Sequence, residues 1–196
     1  MDLWHPLRGY LHESGATVAE LEFFLDNPCP PNLLGANYYL TSERYLDDRL
    51  EHYSESAQGG NGRHGYADTK AVRVLPGGPR GLAVLLGEAW DCYRLPIAVT
   101  EAYLGCDCLI EQVRWLGWVW NETARARSGD ADVRAITAWS AFGSFDWGSL
   151  VTVPTGRYEA GIFEVRTDPP VEAPLADLIR DLAIGRPDHL ALDQPG

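Results

Sequence analysis

The stretch Pro96-Ile97-Ala98-Val99-Thr100-Glu101 is a short apolar run that opens on proline and ends on a carboxylate. Apolar runs of this length, bounded by turn-forming residues, are typical of buried β-strands. Two further runs have the same form, LLGANYYL at residues 33–40 and VRAITAW at residues 133–139. We therefore predict three buried strands, and these decide the fold because the rest of the chain must connect and cover them.

Helical patterns lie before, between and after these strands. Apolar residues recur at the spacing of one helix face, which predicts helices at residues 16–26, 79–93, 107–127 and 175–184. Alternating strands and helices are typical of the α/β class, in which right-handed crossovers join parallel strands. Trp115, Trp118 and Trp120 lie on the longest of these helices, and we expect them to pack rather than to bind ligand.

The remaining segments give weaker patterns. Residues 43–53 are predicted to form a helical turn or two, because Leu46 and Leu50 are spaced i, i+4. The polar, Gly-rich stretch at residues 54–68 is predicted to be a long loop, a kind of segment that is often functional in compact domains. Leu150–Val153 and Ile162–Val165 are predicted to pair as a hairpin.

Composition limits the classes of function. The chain has 196 residues, with 16 Lys and Arg against 28 Asp and Glu, a formal charge of −12. We expect one domain over residues 1–196, since this length supports a single core. The acidic balance argues against a nucleic-acid or anionic-membrane partner, because it leaves no basic surface to neutralise phosphates.

The sequence also argues against a metal site, a membrane span and a signal peptide. Cys106 and Cys108 are spaced too closely for a CxxC pair, and the five histidines are scattered, so we expect free thiols, no metal and no cofactor. No stretch approaches the roughly 20 apolar residues of a membrane span. The first residues lack the basic start and apolar run of a signal peptide, which leads us to expect a cytoplasmic protein.

Polar and aromatic residues end all three predicted strands, where α/β proteins build their active sites. They are Asn37, Tyr38 and Tyr39 on the first strand, Glu101 on the second, and Trp139 on the third, followed by Asp146 and Trp147. A carboxylate that accepts a hydrogen bond from a tyrosine and lies beside tryptophan side chains suits carbohydrate chemistry. The carboxylate attacks or stabilises an oxocarbenium-like centre, and indole faces stack on the C–H surface of a sugar.

These three segments resemble consecutive strands of the family 1 glycoside hydrolases. LGANYYLTS at residues 34–42 resembles the sixth-strand pattern G-x-N-Y-Y-x-S, and PIAVTE at residues 96–101 resembles the seventh strand, which ends T-E-N-G. DVRAITAWS at residues 132–140 resembles the eighth strand. The order and spacing of the three motifs agree with that family over about residues 30–166.

The resemblance implies a partial TIM barrel in the α/β class. A full (β/α)8 barrel needs about 250 residues, so the chain corresponds to roughly the last three β/α units. A cut barrel exposes strand edges, and we expect self-association into a homodimer or larger assembly to complete it. The resemblance is closest to the glycosidase-like domain fused ahead of dTDP-4-dehydrorhamnose reductase-like domains, and residues 175–196 resemble the stretch where the reductase would begin.

The family pattern implies catalytic roles for two of these residues. Glu101 would be the nucleophile of a retaining mechanism, and Tyr39 would donate a hydrogen bond that orients it. Asn37 would line the sugar site beside the nucleophile. Among the residues that follow the third strand, Trp139 would floor the glycone subsite, while Asp146 and Trp147 would contact sugar hydroxyls.

The chain also departs from the family pattern. It has Thr100-Glu101-Ala102-Tyr103 where the family has T-E-N-G, and Ser144-Phe145-Asp146-Trp147 where the family has N-F-E-W. The general acid/base motif T-x-N-E-P belongs to the fourth strand, ahead of the segments that match. Glu43, Asp146 or a carboxylate from a second copy of the chain are the candidates to replace it.

Two functions from different classes follow from this pattern. The first is a hydrolase derived from a retaining β-glycosidase, which acts on a small-molecule carbohydrate with Glu101 as nucleophile and favours substrates with good leaving groups. The second is a non-catalytic sugar-binding or assembly module, in which the same cleft survives without turnover. A third possibility is that the chain is part of a larger sugar-nucleotide protein that supplies the missing acid.

Overall fold

The structure is a computed structural model that describes residues 5–185. Between Asn32 and Leu33 the described chain divides into two compact units. The expectation of one domain over residues 1–196 stays a prediction. Residues 186–196, the end of the stretch that resembles the start of the reductase, lie outside the described residues.

The first unit contains two short helices, α1 (Pro6–Glu13) and α2 (Val18–Asp26). Thr17 starts α2 through a capping box, in which its hydroxyl accepts from the Glu20 amide and the Glu20 carboxylate accepts from the Thr17 amide. The prediction over residues 16–26 is confirmed, whereas the sequence analysis did not predict α1. Neither helix contains a buried residue.

The second unit contains the remaining described helices and strands. Its strands are β1 (Leu34–Tyr39), β2 (Arg44–Asp47), β3 (Gln58–Gly60), β4 (Gly65–Lys70), β5 (Ile97–Tyr103), β6 (Val133–Ala138), β7 (Ser144–Phe145), β8 (Tyr158–Glu159), β9 (Phe163–Glu164) and β10 (Val171–Glu172). Its α-helices are α3 (Ala71–Val74), α4 (Leu82–Tyr93), α5 (Leu109–Ser128) and α6 (Pro174–Ala183). Short 3₁₀ turns span Leu50–His52, Glu55–Ala57 and Trp147–Ser149.

A parallel three-stranded sheet forms the centre of this unit, in the order β1-β5-β6. These are the three strands that the sequence predicts, and the helices predicted at residues 79–93, 107–127 and 175–184 are found as α4, α5 and α6. Helix α4 lies between β1 and β5 in the chain, and α5 lies between β5 and β6. The mixed α/β class with a parallel sheet is therefore confirmed.

The core lies between this sheet and its helices. It contains Leu82 and Leu86 of α4, Ile97 and Val99 of β5, Leu116 and Val119 of α5, and Leu178 of α6, all nearly inaccessible to solvent. Tyr38 of β1 stacks on two indoles of α5, with ring centroids 5.9 Å from both Trp115 and Trp118. The prediction that these two tryptophans pack is confirmed.

The segment predicted as helical turns at residues 43–53 is wrong over its first half. Arg44–Asp47 is the strand β2, which pairs antiparallel with β4, and a 3₁₀ turn at Leu50–His52 follows. The buried carboxylate of Asp47 accepts hydrogen bonds from Arg49 and Tyr53, which fixes the turn. The guanidinium of Arg49 holds the pKa of Asp47 well below its ordinary value.

The loop predicted at residues 54–68 contains two strands. Residues of β3 and the first part of β4 pair antiparallel there, and β2 completes a second three-stranded sheet. The partner of each strand is another segment with a weak pattern, so this sheet depends on tertiary pairing rather than on local propensity.

The predicted hairpin of Leu150–Val153 with Ile162–Val165 is also wrong. Leu150 and Val151 have φ values of 52° and 51°, in the left-handed region that no strand adopts. The pairs that form instead are β7 with β8 and β9 with β10. None of the helices in residues 5–185 combines the length and apolar character that a membrane crossing requires.

Candidate functional site

The two tyrosines that end β1 face opposite sides of the sheet. Alternation along a strand sends successive side chains to opposite faces, and Tyr38 packs into the helix layer with 4% of its surface exposed. Tyr39 therefore faces the other side, together with Gly35 and Asn37. The second face is the one on which the candidate site lies.

A β-bulge places Glu101 on the same face. In the β1–β5 register Ala36 pairs with Val99, and Asn37 pairs with Glu101, so that Thr100 is an extra residue. The bulge resets the alternation of β5, and the core contains Val99 and then Ala102. Without it, Glu101 would face the helix layer with Val99. The bulge therefore determines the side of the sheet on which the carboxylate lies.

Glu101 and Tyr39 are in direct contact. The Tyr39 hydroxyl donates a hydrogen bond to Oε2 of Glu101, across neighbouring parallel strands. Burial, followed by the bond to Glu101 and the charge of that carboxylate, raises the pKa of Tyr39 to about 12. The tyrosine hydroxyl thus keeps its proton at neutral pH and holds the half-buried carboxylate in one orientation.

Asn37 is paired with Glu101 in the strand register. The Thr100 hydroxyl donates a hydrogen bond to Asn37 Oδ1 over 2.7 Å. Gly35 makes room for the arrangement. A Cβ atom at that position would lie 3.1 Å from Thr100 Cγ2 and 3.2 Å from Thr100 Oγ1. A side chain at residue 35 would therefore push Thr100 away from Asn37.

Trp139 and Trp147 come together beyond the end of β6. Their ring centroids are 5.7 Å apart, with 42° between the ring planes. The Trp139 amide donates to the carbonyl of Ala102, the residue after Glu101. This bond ties the tryptophan pair to the end of β5, where indole surface suits the apolar face of a sugar.

Asp146 binds its own loop. The backbone of Asp146 is left-handed with φ 59°, and its Oδ1 accepts from Thr155 N at 2.9 Å, Thr155 Oγ1 at 2.6 Å and Arg157 N at 3.1 Å. The hydrogen bonds from Thr155 lower the pKa of Asp146. Its carboxylate therefore stays ionised and holds the two ends of the segment at residues 146–157 together.

Glu43, the other candidate for a second carboxyl group, also has partners of its own. It accepts a hydrogen bond from the Tyr38 hydroxyl at 2.9 Å, and from the amides of Arg80 at 2.7 Å and Gly81 at 2.9 Å, at the start of α4. Since Tyr38 faces the helix layer, these contacts place Glu43 on the face of the sheet opposite Glu101. They indicate a helix-capping role.

The structure brings Asn37, Tyr39 and Glu101 together, and it brings Trp139 and Trp147 together. Thr100, which makes the bulge and bonds Asn37, is not predicted from the sequence. The sequence places Thr100 next to Glu101, but an extra residue in a strand is recognised only when its pairing with the neighbouring strand is known. Within residues 5–185, no group of three or more His, Cys, Asp or Glu side chains is arranged to hold a metal ion.

The chain is similar to one curated β-glucosidase over part of its length. No protein-family model matches the chain. A curated relative, β-glucosidase 47 of Arabidopsis thaliana, is 29% identical over 136 residues, which are 65% of this chain and 25% of the relative. The chain thus spans about a quarter of the length of the relative that it matches.

Several solved structures share the fold. The GH1 β-glucosidase from Exiguobacterium antarcticum B7 superposes with a TM-score of 0.56 at 13% identity, over 87% of this chain and 38% of that enzyme. The hyperthermophilic β-glucosidase from Pyrococcus furiosus superposes with a TM-score of 0.53 at 19% identity, over 94% of this chain and 39% of that enzyme. The AHE enzyme from Alicyclobacillus herbarius superposes with a TM-score of 0.60 at 13% identity, over 89% of this chain and 38% of that enzyme. At these identities the likeness shows the fold alone, and it covers about two fifths of each solved chain.

Proposed function

We propose that the chain is a hydrolase of the retaining β-glycosidase type, with Glu101 as its nucleophile. The observation that carries the proposal is the hydrogen bond from the Tyr39 hydroxyl to Glu101 Oε2 between neighbouring parallel strands. A carboxylate oriented by a fixed donor suits attack on an anomeric carbon. The similarity to β-glucosidase 47 supports the same chemistry.

The reaction proceeds in two displacements. A carboxylate oxygen of Glu101 attacks the anomeric carbon while the bond from that carbon to the leaving-group oxygen breaks, and this oxygen departs with the electron pair. Water then attacks the anomeric carbon of the glycosyl ester, the bond from that carbon to the Glu101 oxygen breaks, Glu101 is freed as a carboxylate, and one proton of the water passes to solvent. The raised pKa of Tyr39 keeps its proton in place throughout, so the hydroxyl donates to Glu101 in the free enzyme.

The preferred substrates have good leaving groups. A retaining glycosidase protonates the leaving oxygen with a second carboxyl group about 5–5.5 Å from the nucleophile. The two candidates within this chain are engaged elsewhere, Glu43 at the start of α4 and Asp146 on its own loop. Activated aryl glycosides or aryl esters need little protonation, so they are the substrates that we expect to turn over.

The remaining site residues bind the sugar in this proposal. Asn37 lies beside the nucleophile and offers its amide to a sugar hydroxyl, while Trp139 and Trp147 provide the stacking surface. The free oxygen of Asp146 contacts sugar hydroxyls, and its other oxygen holds the loop.

The second candidate function is a non-catalytic sugar-binding or assembly module. The engagement of both Glu43 and Asp146 favours it, because a cleft without a general acid still binds sugar. The proposal that the chain belongs to a longer protein, with a dTDP-4-dehydrorhamnose reductase-like domain after it, rests on the resemblance of residues 175–196 alone.

Self-association completes the partial barrel in our proposal. Within the described residues, β1 and β6 each have one neighbour in the parallel sheet, so each leaves one edge unpaired. Beside β6 lies a cleft of about 190 Å³ lined by Val133, Ala135 and Ile136 of the strand and by Trp120 of α5. A second copy of the chain would pair these edges and fill the cleft.

Substitution of the nucleophile separates the two functions. We expect Glu101→Ala to abolish turnover of nitrophenyl glycosides while its affinity for sugar, measured by calorimetry, stays within a few-fold of wild type. Glu111→Ala on the exposed face of α5 is the matched control, and its rate should equal that of wild type. Wild-type protein that binds sugar without turnover would support the binding module instead.

A further inference from the structure

A cavity of about 580 Å³ lies at the carboxyl ends of β1 and β5. It is lined by Tyr39, Leu40 and Thr41 at the end of β1, by Tyr103, Leu104 and Gly105 at the end of β5, and by the cationic residues Lys70, Arg73 and Arg157. Ligand pockets commonly enclose about 300–1,000 Å³. The volume is therefore sufficient for a group of the size of a substituted sugar.

Three cationic residues line this cavity. Lys70 ends β4, Arg73 belongs to α3, and Arg157 precedes β8. Within residues 5–185 none of the three side chains forms an ion pair or a hydrogen bond to protein. Other arginines of the described chain pair with carboxylates, namely Arg44, Arg49, Arg80, Arg94, Arg114, Arg125, Arg134, Arg166 and Arg180.

This concentration of positive charge is unexpected in a chain with a formal charge of −12. Like charges around one cavity repel each other, and an anion bound there would offset the repulsion. Arginine presents a planar fork that binds phosphate or carboxylate through two hydrogen bonds. The grouping therefore points to an anionic ligand.

The cavity adjoins the proposed nucleophile. Tyr39 lines the cavity, and its hydroxyl bonds Glu101. Tyr103 faces Tyr39 in the strand register, two residues beyond the pair of Asn37 and Glu101. A sugar with its anomeric carbon at Glu101 would thus extend a substituent past these rings toward the cations.

Charges of both signs lie near Tyr103. Burial, followed by the negative charge of Glu159, raises the pKa of Tyr103 to about 12, with a further increase from Asp107, while the positive charge of Arg157 opposes it. Neither carboxylate is among the described residues that line the cavity. The lining itself therefore carries positive charge alone.

We propose that this cavity is a subsite for an anionic substituent, a phosphate or a carboxylate, on the sugar that Glu101 attacks. The inference rests on the proposed function for the position of the sugar, and it adds the charge of the substrate. Lys70, Arg73 and Arg157 bind the anion, and the rings of Tyr39 and Tyr103 flank the sugar.

Kinetics with three substrates test the subsite. They are a nitrophenyl β-glucoside, the same compound phosphorylated on its primary hydroxyl, and the nitrophenyl β-glucuronide. We expect kcat/KM for one charged substrate to exceed that for the neutral one, and Arg73→Gln or Arg157→Gln to lower this ratio at least about tenfold. The charged substrate that responds identifies the anion as phosphate or carboxylate.

The matched control is Arg63→Gln, which removes the same charge from an exposed position between β3 and β4. Its ratio of charged to neutral kcat/KM should equal that of wild type. Equal kcat/KM values for all three substrates, or a ratio that Arg63→Gln lowers as much as Arg157→Gln does, would overturn the proposal.

A binding experiment separates this proposal from the hydrolase itself. Calorimetry on Glu101→Gln measures affinity for the sugar phosphate, the glucuronide and the neutral sugar without turnover. The subsite is supported if Glu101→Gln binds a charged sugar more tightly than the neutral one and the added Arg157→Gln substitution removes this difference in affinity. This result would hold even if wild type shows no hydrolysis. Binding of the neutral sugar alone, or of none of the three, would contradict the subsite whether or not hydrolysis occurs.

Discussion

The hydroxyl of Tyr39 donates a hydrogen bond to the carboxylate of Glu101 across two neighbouring parallel strands. The contact exists because a bulge at Thr100 turns Glu101 to the face on which Tyr39 lies. The adjacent Tyr38 faces the helix layer and bonds Glu43 instead. Two successive tyrosines thus have separable roles, one in orienting a carboxylate and one in holding the core.

We predict opposite phenotypes for the two tyrosines. Tyr39→Phe removes the donor to Glu101 and should lower kcat/KM for activated glycosides about ten- to hundredfold, as expected for a hydrogen bond to a charged group. Tyr38→Phe removes the bond to Glu43 and should lower the free energy of unfolding by about 1 kcal/mol with little change in kcat/KM. Steady-state kinetics and urea unfolding of both variants measure the difference. Equal loss of kcat/KM in the two variants would contradict the assignment.

Gly35 gives a test of the bulge. In Gly35→Ala the new methyl group would lie 3.1 Å from Thr100 Cγ2, so Thr100 must shift from Asn37. We expect a loss of about 1–3 kcal/mol in the free energy of unfolding, together with lower kcat/KM. Gly87→Ala in α4 is the control. It meets no atom within 4 Å and should raise stability by about 0.5–1 kcal/mol. Unchanged stability and kinetics in Gly35→Ala would show that Thr100 does not need this space.

The lowered pKa of Asp146 predicts an acid-sensitive loop. The folded protein binds the Asp146 proton less readily than the unfolded chain, whose aspartates titrate near about 3.9. The contribution of Asp146 to stability is therefore present above that value, and it is lost as the pH falls through the lowered folded pKa. Urea unfolding as a function of pH should show a smaller acid loss for Asp146→Asn than for wild type. Parallel curves for the two proteins would argue against the loop bonds to Thr155.

The oligomeric state tests the completion of the barrel. We expect sedimentation velocity at micromolar concentration to give a dimer or a larger assembly, because β1 and β6 have unpaired edges in the described sheet. Ala135 is exposed on β6 and lines the adjoining cleft, so Ala135→Glu should shift the protein toward monomer. Wild-type protein that sediments as a monomer would contradict self-association.

The sequence predicts the central sheet well because each of its three strands is a local run of apolar residues. It also predicts that Asn37, Tyr39, Glu101 and Trp139 lie toward the carboxyl ends of their strands, although β5 continues two residues past Glu101 to Tyr103. The second sheet escapes prediction because β2 and β4 stabilise each other only after they meet.

The bulge and the cationic cavity escape prediction for a related reason. Thr100 is an extra residue only relative to β1, and no pattern within residues 97–103 marks it. Lys70 and Arg157 lie far apart in the chain, and only the folded structure places both in the lining of one cavity. Features that depend on the pairing of distant segments have no local signal in the sequence.

The measurement that tests the central claim most directly is intact-mass spectrometry after incubation with an activated 2-deoxy-2-fluoro glycoside. The fluorine slows breakdown of a covalent glycosyl ester, and the good leaving group removes the need for a general acid. We predict a mass increase of one fluoroglycosyl group that peptide mapping places on Glu101 and that Glu101→Gln abolishes. Absence of an adduct across neutral, phosphorylated and carboxylated sugars, or an adduct on another residue, would contradict Glu101 as the nucleophile.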